Sequence, residues 1–301
     1  MMGLERTQGC HARRRSASRI FAACAALGLC GILCAWFFRP ALVETARAFD
    51  ERHAGLKIRD VWGRLRWHED WSEVPSASGY DFRWIGSGGF LRIAHALGAA
   101  RGPEQNSLAA ARRSVSQGFM MLEVDVWRDD AGRLQCRHGE DAGVPAGAQP
   151  VAVDQCTVPE LLRTLRDWPD VYLVPDIKTD FAATLPVLLA AAREAGVERR
   201  LVMQLYEPAH LLLFARWQPE HGLPGPIVTT YLSHLPIWRV QPTLESKGYR
   251  AIAMPLDAMP FAKPPHADTA LLVHPVHDCA TLGRARAADI RGAYMLNSLA
   301  C

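Results

Sequence analysis

Residues 120–138 read MMLEVDVWRDDAGRLQCRH. An apolar run here carries Glu123 and Asp125 at alternate positions, and because strand side chains change face at every residue, both carboxylates point the same way. Burying them together is costly unless a cation or hydrogen bonds compensate, and a hard divalent metal is the usual compensation. The same alternation also fits a half-exposed antiparallel strand whose acids face water. The turn Asp129-Asp130-Ala131-Gly132 then reverses the chain, and a second short strand, Arg133 to Arg137, delivers His138. Two carboxylates and an imidazole are thus expected at one end of a sheet.

Outward from this stretch, short apolar runs alternate with helical patterns. Strands are predicted at 91–95, 120–126, 134–137, 171–177, 201–206, 227–231, 251–254 and 271–276. Helical spacing falls between most of them, over 107–117, 158–166, 185–194, 208–217, 235–247 and 280–288. Eight strands separated mostly by helices predict an α/β fold, a TIM-type (β/α)8 barrel over residues 91–301, with its chemistry at the C-terminal strand ends. Those ends carry His95, then Glu123 and Asp125, then His138, then Asp176 and Lys178, which again alternate. Singly, each has an ordinary structural explanation. At the ends of four consecutive strands they form a candidate site.

The remainder of the chain divides by composition. Residues 1–19 form a basic tail, and residues 20–38, IFAACAALGLCGILCAWFF, contain no charge and are long enough for a helix to span a bilayer. The arginines ahead of this run outnumber those just after it, which predicts a cytoplasmic N-terminus, a transmembrane signal anchor and an exported domain, periplasmic or extracellular. A cleaved signal peptide is the alternative, with Ala46-Arg47-Ala48 as a cleavage site. Residues 39–90 form a tryptophan-containing connector, read as a strap packing beneath the barrel. A net charge of +3 over 301 residues gives no reason to expect nucleic acid as a partner. Cys136, Cys156, Cys279 and Cys301 lie in the exported part, where disulfides are permitted, and a Cys136–Cys156 bridge would tie the loop after His138.

The ordered series Ile93-Ala94-His95, Pro103-Glu104-Gln105-Asn106-Ser107, Glu123-Val124-Asp125, His138 and Asp176-Ile177-Lys178 resembles the motifs of the glycerophosphodiester phosphodiesterase family. The resemblance runs from Leu91 to the C-terminus, with weaker echoes at 202–206 and 274–277. It implies a metal-dependent phosphoric diester hydrolase with His95 and His138 as the acid–base pair. It further implies that Glu123, Asp125 and Asp176 bind a divalent metal and that Glu104 and Lys178 take part in substrate binding. The chemistry suits these residue types, since diester cleavage needs charge neutralisation, a base and an acid. Oxygen ligands favour Ca²⁺ or Mg²⁺.

Two departures from the family pattern stand out. Ala96 occupies the position where the family usually has Arg, and His274 and His277 stand where Trp and Asn are usual. Asp176-Ile177-Lys178 is also similar to the sphingomyelinase D group. The expected substrate is a small or lipid-derived phosphodiester, foremost a glycerophosphodiester. A lipid phosphodiesterase of the sphingomyelinase D or phospholipase type, and a non-catalytic phosphodiester-binding barrel, are the alternatives.

Overall fold

A computed structural model of the chain describes residues 70–86, 89–99, 104–138, 156–233 and 235–299. The apolar run 20–38 and most of the connector lie outside these residues. Among the described residues no helix is long and apolar enough to cross a membrane.

The strands, in chain order, are β1 (Leu91–Ala94), β2 (Met121–Arg128), β3 (Leu134–Cys136), β4 (Tyr172–Ile177), β5 (Gln204–Leu205), β6 (Ile227–Thr229), β7 (Ala251–Pro255), β8 (Ala270–Val276) and β9 (Gly292–Met295). The helices are α1 (Leu108–Ser116), α2 (Val158–Leu165), α3 (Phe181–Ala195), α4 (Pro208–His221), α5 (Ile237–Ser246) and α6 (Cys279–Ala287). A 3-10 turn, Leu256–Phe261, stands in place of a helix between β7 and β8.

Parallel pairing runs β4–β2–β1–β9–β8–β7–β6–β5. A parallel bridge between Leu173 and Leu201 joins β4 to β5 and closes the ring. The TIM-type barrel expected from the sequence is therefore present, with two of its strands reassigned. The run at 134–137 is not a stave, because β3 pairs antiparallel with β2 as a hairpin arm outside the ring. The eighth stave is β9, which was not expected as a strand and lies between β1 and β8.

Gly292 opens β9 because a Cβ there would lie 2.6 Å from the Leu91 carbonyl oxygen. Only glycine allows β1 and β9 to approach so closely.

Strand β2 is buried along both faces over Met121–Val126. That excludes the half-exposed antiparallel reading of Glu123 and Asp125. Leu122, Val124 and Val126 belong to the outer layer shared with the helices, whereas Met121 packs in a separate inner cluster with Ile93, Val174, Ile227, Ala253 and Tyr294. Trp84 joins that inner cluster, and its Nε1 donates to the Gly225 carbonyl at 2.9 Å. Residues 70–86 thus pack against the barrel, with Trp71, Val74 and Ala77 also buried.

Helix starts follow the site closely in sequence. Asp180, two residues beyond Lys178, caps α3 by accepting from the Ala183 N–H at 2.7 Å, and Ser107 caps α1 through the Ala110 N–H at 3.1 Å. Such caps contribute about 1 kcal/mol each.

Candidate active site

Glu123, Asp125 and Asp176 are buried at the C-terminal ends of β2 and β4, and one oxygen from each lies within 4.8 Å of the others. The β2–β4 register sets Asp125 opposite Asp176. Lys178, one residue past β4, lies 3.0 Å from Asp125 Oδ1 and 2.5 Å from Asp176 Oδ2. Burial works against its ammonium, but the Asp176 and Asp125 carboxylates outweigh that and raise its pKa. Burial raises the Glu123 carboxyl well above its ordinary range, with Asp125 and Asp176 adding to the effect. Burial likewise raises Asp176, although Lys178 pulls the other way.

The backbone around β1 serves the same cluster. Ala96 and Leu97 have φ of 49° and 61°, two consecutive left-handed residues. This conformation carries a strain of about 1–3 kcal/mol per residue. It aims the Ala96 N–H at Glu123 Oε2, 2.6 Å away. The turn is held from behind, where Ser114 on α1 donates to the Leu97 carbonyl at 2.8 Å and the Asn297 N–H donates to the Gly98 carbonyl at 2.8 Å. Gly98, at φ 97°, has no room for a Cβ, which would lie 2.1 Å from Ser114 Oγ. The Ala96 side chain is fully buried, so this position presents only a backbone donor to the cluster.

His95 begins this turn. Its Nε2 lies 4.0 Å from Glu123 Oε2, and its ring meets His274 edge to face at 4.5 Å between centroids. Burial lowers its pKa to about 4; Asp125 opposes the shift, while Lys178, His277 and His138 add to it. His138 is exposed, two residues beyond β3. The hairpin arm that carries it is fixed by the Cys136–Cys156 disulfide and by the Cys136 N–H donating to the Cys156 carbonyl at 2.9 Å. Glu104 is not drawn into the cluster. It is exposed and forms an ion pair with Arg113 on α1.

Several contributors were not singled out by their types. Asn106, buried at a left-handed φ of 57°, donates from Nδ2 to Asp125 Oδ2 at 2.8 Å and accepts from the Asp125 N–H at 3.1 Å. Gln204 Nε2 donates to Asp176 Oδ2 at 3.0 Å and to the Tyr206 hydroxyl, and its Oε1 accepts from the Tyr294 hydroxyl at 2.6 Å. The Tyr206 and Tyr231 hydroxyls are 2.7 Å apart, and the Tyr231 ring stacks on His274. Burial raises the pKa of all three tyrosines, so they stay protonated donors. The alternation of Gln204 with Tyr206 at a strand end is the signal that could have found this layer.

The residues fit a divalent cation. Glu123 Oε1 and Asp176 Oδ1 are buried without a hydrogen-bond partner. An unsatisfied buried carboxylate oxygen is costly, and a metal satisfies it. With a cation to favour their ionised forms, three carboxylates against one ammonium would present the equivalent of two negative charges, and every candidate ligand is a hard oxygen.

No family model matches the sequence, and no curated protein matches it. Among solved structures, the fold resembles a candidate glycerophosphoryl diester phosphodiesterase from Silicibacter pomeroyi, at 17% identity and a TM-score of 0.56, covering 69% of this chain and 90% of that one. It also resembles a glycerophosphodiester phosphodiesterase from Parabacteroides distasonis, at 13% identity and a TM-score of 0.55, covering 68% of this chain and 92% of that one. A third, from Agrobacterium tumefaciens, is 17% identical with a TM-score of 0.50 and covers 69% of this chain and 96% of that one. The fold is thus that of the glycerophosphodiester phosphodiesterases, in line with the resemblance carried by the motif series.

Proposed function

We propose that this chain is a divalent-metal-dependent phosphoric diester hydrolase that cleaves a glycerophosphodiester to a phosphomonoester and an alcohol. The observation that carries the reading is the buried Glu123–Asp125–Asp176 triad, with two carboxylate oxygens lacking partners, beside His95 and Lys178 at the mouth of this barrel. Glu123, Asp125 and Asp176 would hold Ca²⁺ or Mg²⁺, which when bound neutralises charge on a phosphate oxygen. Lys178 is held cationic by its two aspartates, and its third N–H is available to a phosphate oxygen.

In the cleavage step water, or a substrate hydroxyl whose cyclic diester water then opens, loses a proton to one imidazole as its oxygen attacks phosphorus. The ester P–O bond breaks and the leaving alkoxide takes a proton from the other imidazole. His95 and His138 are the proposed pair. Support for their sharing one site is that His95 follows β1 and His138 follows the hairpin arm of β2, two neighbouring elements. The ring contact with His274 and the neighbouring Glu123 hold His95 in orientation.

The apolar run 20–38 is proposed as a transmembrane signal anchor with the N-terminus in the cytoplasm and the barrel exported. The Cys136–Cys156 bridge supports that placement, since disulfides persist in oxidising compartments.

The test is turnover by the full chain in detergent on a panel of glycerophosphodiesters with Ca²⁺, Mg²⁺ or chelator. Metal-dependent release of a free alcohol, reduced at least about a hundredfold in His95→Ala and in His138→Ala, is expected. Turnover indifferent to chelator and to both substitutions would remove the proposed mechanism.

A further inference from the structure

Among the described residues five large apolar side chains are left exposed: Met120 just ahead of β2, Leu212 on α4, and Leu232, Trp238 and Phe261, the last three at 49%, 48% and 60%. Leu232 lies on the loop after β6, Trp238 in the first turn of α5 and Phe261 at the end of the 3-10 turn after β7, all at the end of the barrel where the carboxylates and His95 sit. Scattered exposed apolar residues need no explanation, but a group at one rim of a candidate site does.

The loops are held so that the group is local. Leu232 directly follows Tyr231, whose hydroxyl reaches Tyr206 in the site. Gln241 on α5 donates from Nε2 to the Lys263 carbonyl at 3.0 Å and accepts the Lys263 N–H at 3.0 Å. From there the chain runs down α5, the His266 N–H reaching Glu245 one turn further on, towards the start of β8. Phe261 is two residues before the pinned Lys263, and Trp238 is one helical turn before Gln241, so both come to the upper end of α5.

We propose that this rim docks on an anionic lipid bilayer and that the phosphodiester the site cleaves is carried by a membrane lipid. The substrate part of this proposal rests on the phosphodiesterase reading. Three features favour a bilayer. The aromatic anchors are each accompanied by an exposed base, Arg239 beside Trp238 and Lys263 near Phe261, with Asp257 and Asp268 as the exposed acids of the segment between β7 and β8. Tryptophan with flanking arginine or lysine is the composition of an interfacial anchor on anionic lipid. Continuity of the rim with Tyr231 would bring a docked headgroup to the site without the lipid leaving the membrane. The uncharged run 20–38 elsewhere in this chain is long enough to hold it at such a surface.

The test is hydrogen–deuterium exchange on the full chain with phosphatidylglycerol-containing vesicles and with phosphatidylcholine vesicles, beside turnover of soluble glycerophosphocholine and of vesicle lipid. Trp238→Ala/Phe261→Ala is the variant, since both side chains are exposed and the fold does not need them. Peptides covering 232–240 and 256–263 should exchange several-fold more slowly on the anionic vesicles. In the variant that protection should vanish and vesicle-lipid turnover should fall about fivefold or more, with glycerophosphocholine turnover unchanged. Unchanged exchange on anionic vesicles, or equal loss on both substrates, would overturn the docking surface. Protection that appears without vesicles as protein concentration rises would also overturn it, by assigning the rim to a second copy. Vesicle protection with no turnover of any diester would overturn the phosphodiesterase reading and the lipid substrate while leaving the docking surface in place.

Discussion

Replacing His95 with glutamine should flatten part of the dependence of stability on pH. His95 has its pKa lowered from 6.5 to about 4, chiefly by burial, with Lys178, His277 and His138 adding to the shift against the pull of Asp125. Its side chain is only 20% exposed, so solvent screening is modest. A histidine lowered in this way binds its proton more readily in the unfolded chain. Its contribution is therefore complete above pH 6.5 and is lost as pH falls from 6.5 towards 4. The gap between those values corresponds to a loss of about 3 kcal/mol below pH 4, of which about 2 kcal/mol has gone by pH 5. Urea unfolding of wild type and His95→Gln in chelator, between about pH 7.5 and pH 5, measures this directly. The wild type should lose about 2 kcal/mol more than the variant over that range. Profiles that stay parallel would refute the idea that burial and the Lys178 ammonium hold this imidazole neutral.

Asp125→Asn should weaken binding of Ca²⁺ or Mg²⁺ in calorimetric titration by at least about tenfold, and an unchanged titration would remove Asp125 from the ligand set. Lys178→Met leaves Asp125 and Asp176 buried without their ammonium, and should cost about 3 kcal/mol in chelator while increasing the stabilisation that added metal provides. Equal metal stabilisation of variant and wild type would argue against a shared charge site. Cys136→Ser removes a bridge across a sequence separation of 20. In the chain-entropy view that bridge contributes about 3 kcal/mol, to be read as a shift of the urea midpoint.

The acidic pairing of the site was legible because alternation in a strand is a local property. Glu123 with Asp125, and Asp176 with Lys178, needed only the two-residue period to be placed on one face. Strand β3 was read as a stave because a short apolar run looks alike inside and outside a ring; only the antiparallel register to β2 distinguishes them. Strand β9 escaped because Gly292-Ala293-Tyr294-Met295 has no β-branched residue, and its identity comes from the neighbours on either side. Asn106 and the Gln204–Tyr294 contact depend on a left-handed backbone and on partners far away in sequence, which no window of sequence contains. Glu104 was placed at the site by resemblance alone, and its neighbour one helix away, Arg113, claims it instead.

The ring is not equally stitched around its circumference. β2 and β4 share six paired positions, whereas β4 and β5 meet through one backbone bridge, Leu173 to Leu201, supplemented by the Gln204–Asp176 side-chain bond. The barrel therefore has a seam, and the seam runs alongside one of its three acids. Where a ladder of amides would have fixed the spacing of two staves rigidly, a single amide side chain does so here. Opening of the wall at this line would move Gln204 away from Asp176, while the six-position ladder between β2 and β4 keeps Asp176 level with Glu123 and Asp125. All three acids stand on the β2–β4 side of the seam, so a cation held among them would leave the seam spanned only by the Leu173–Leu201 bridge and the Gln204–Asp176 bond.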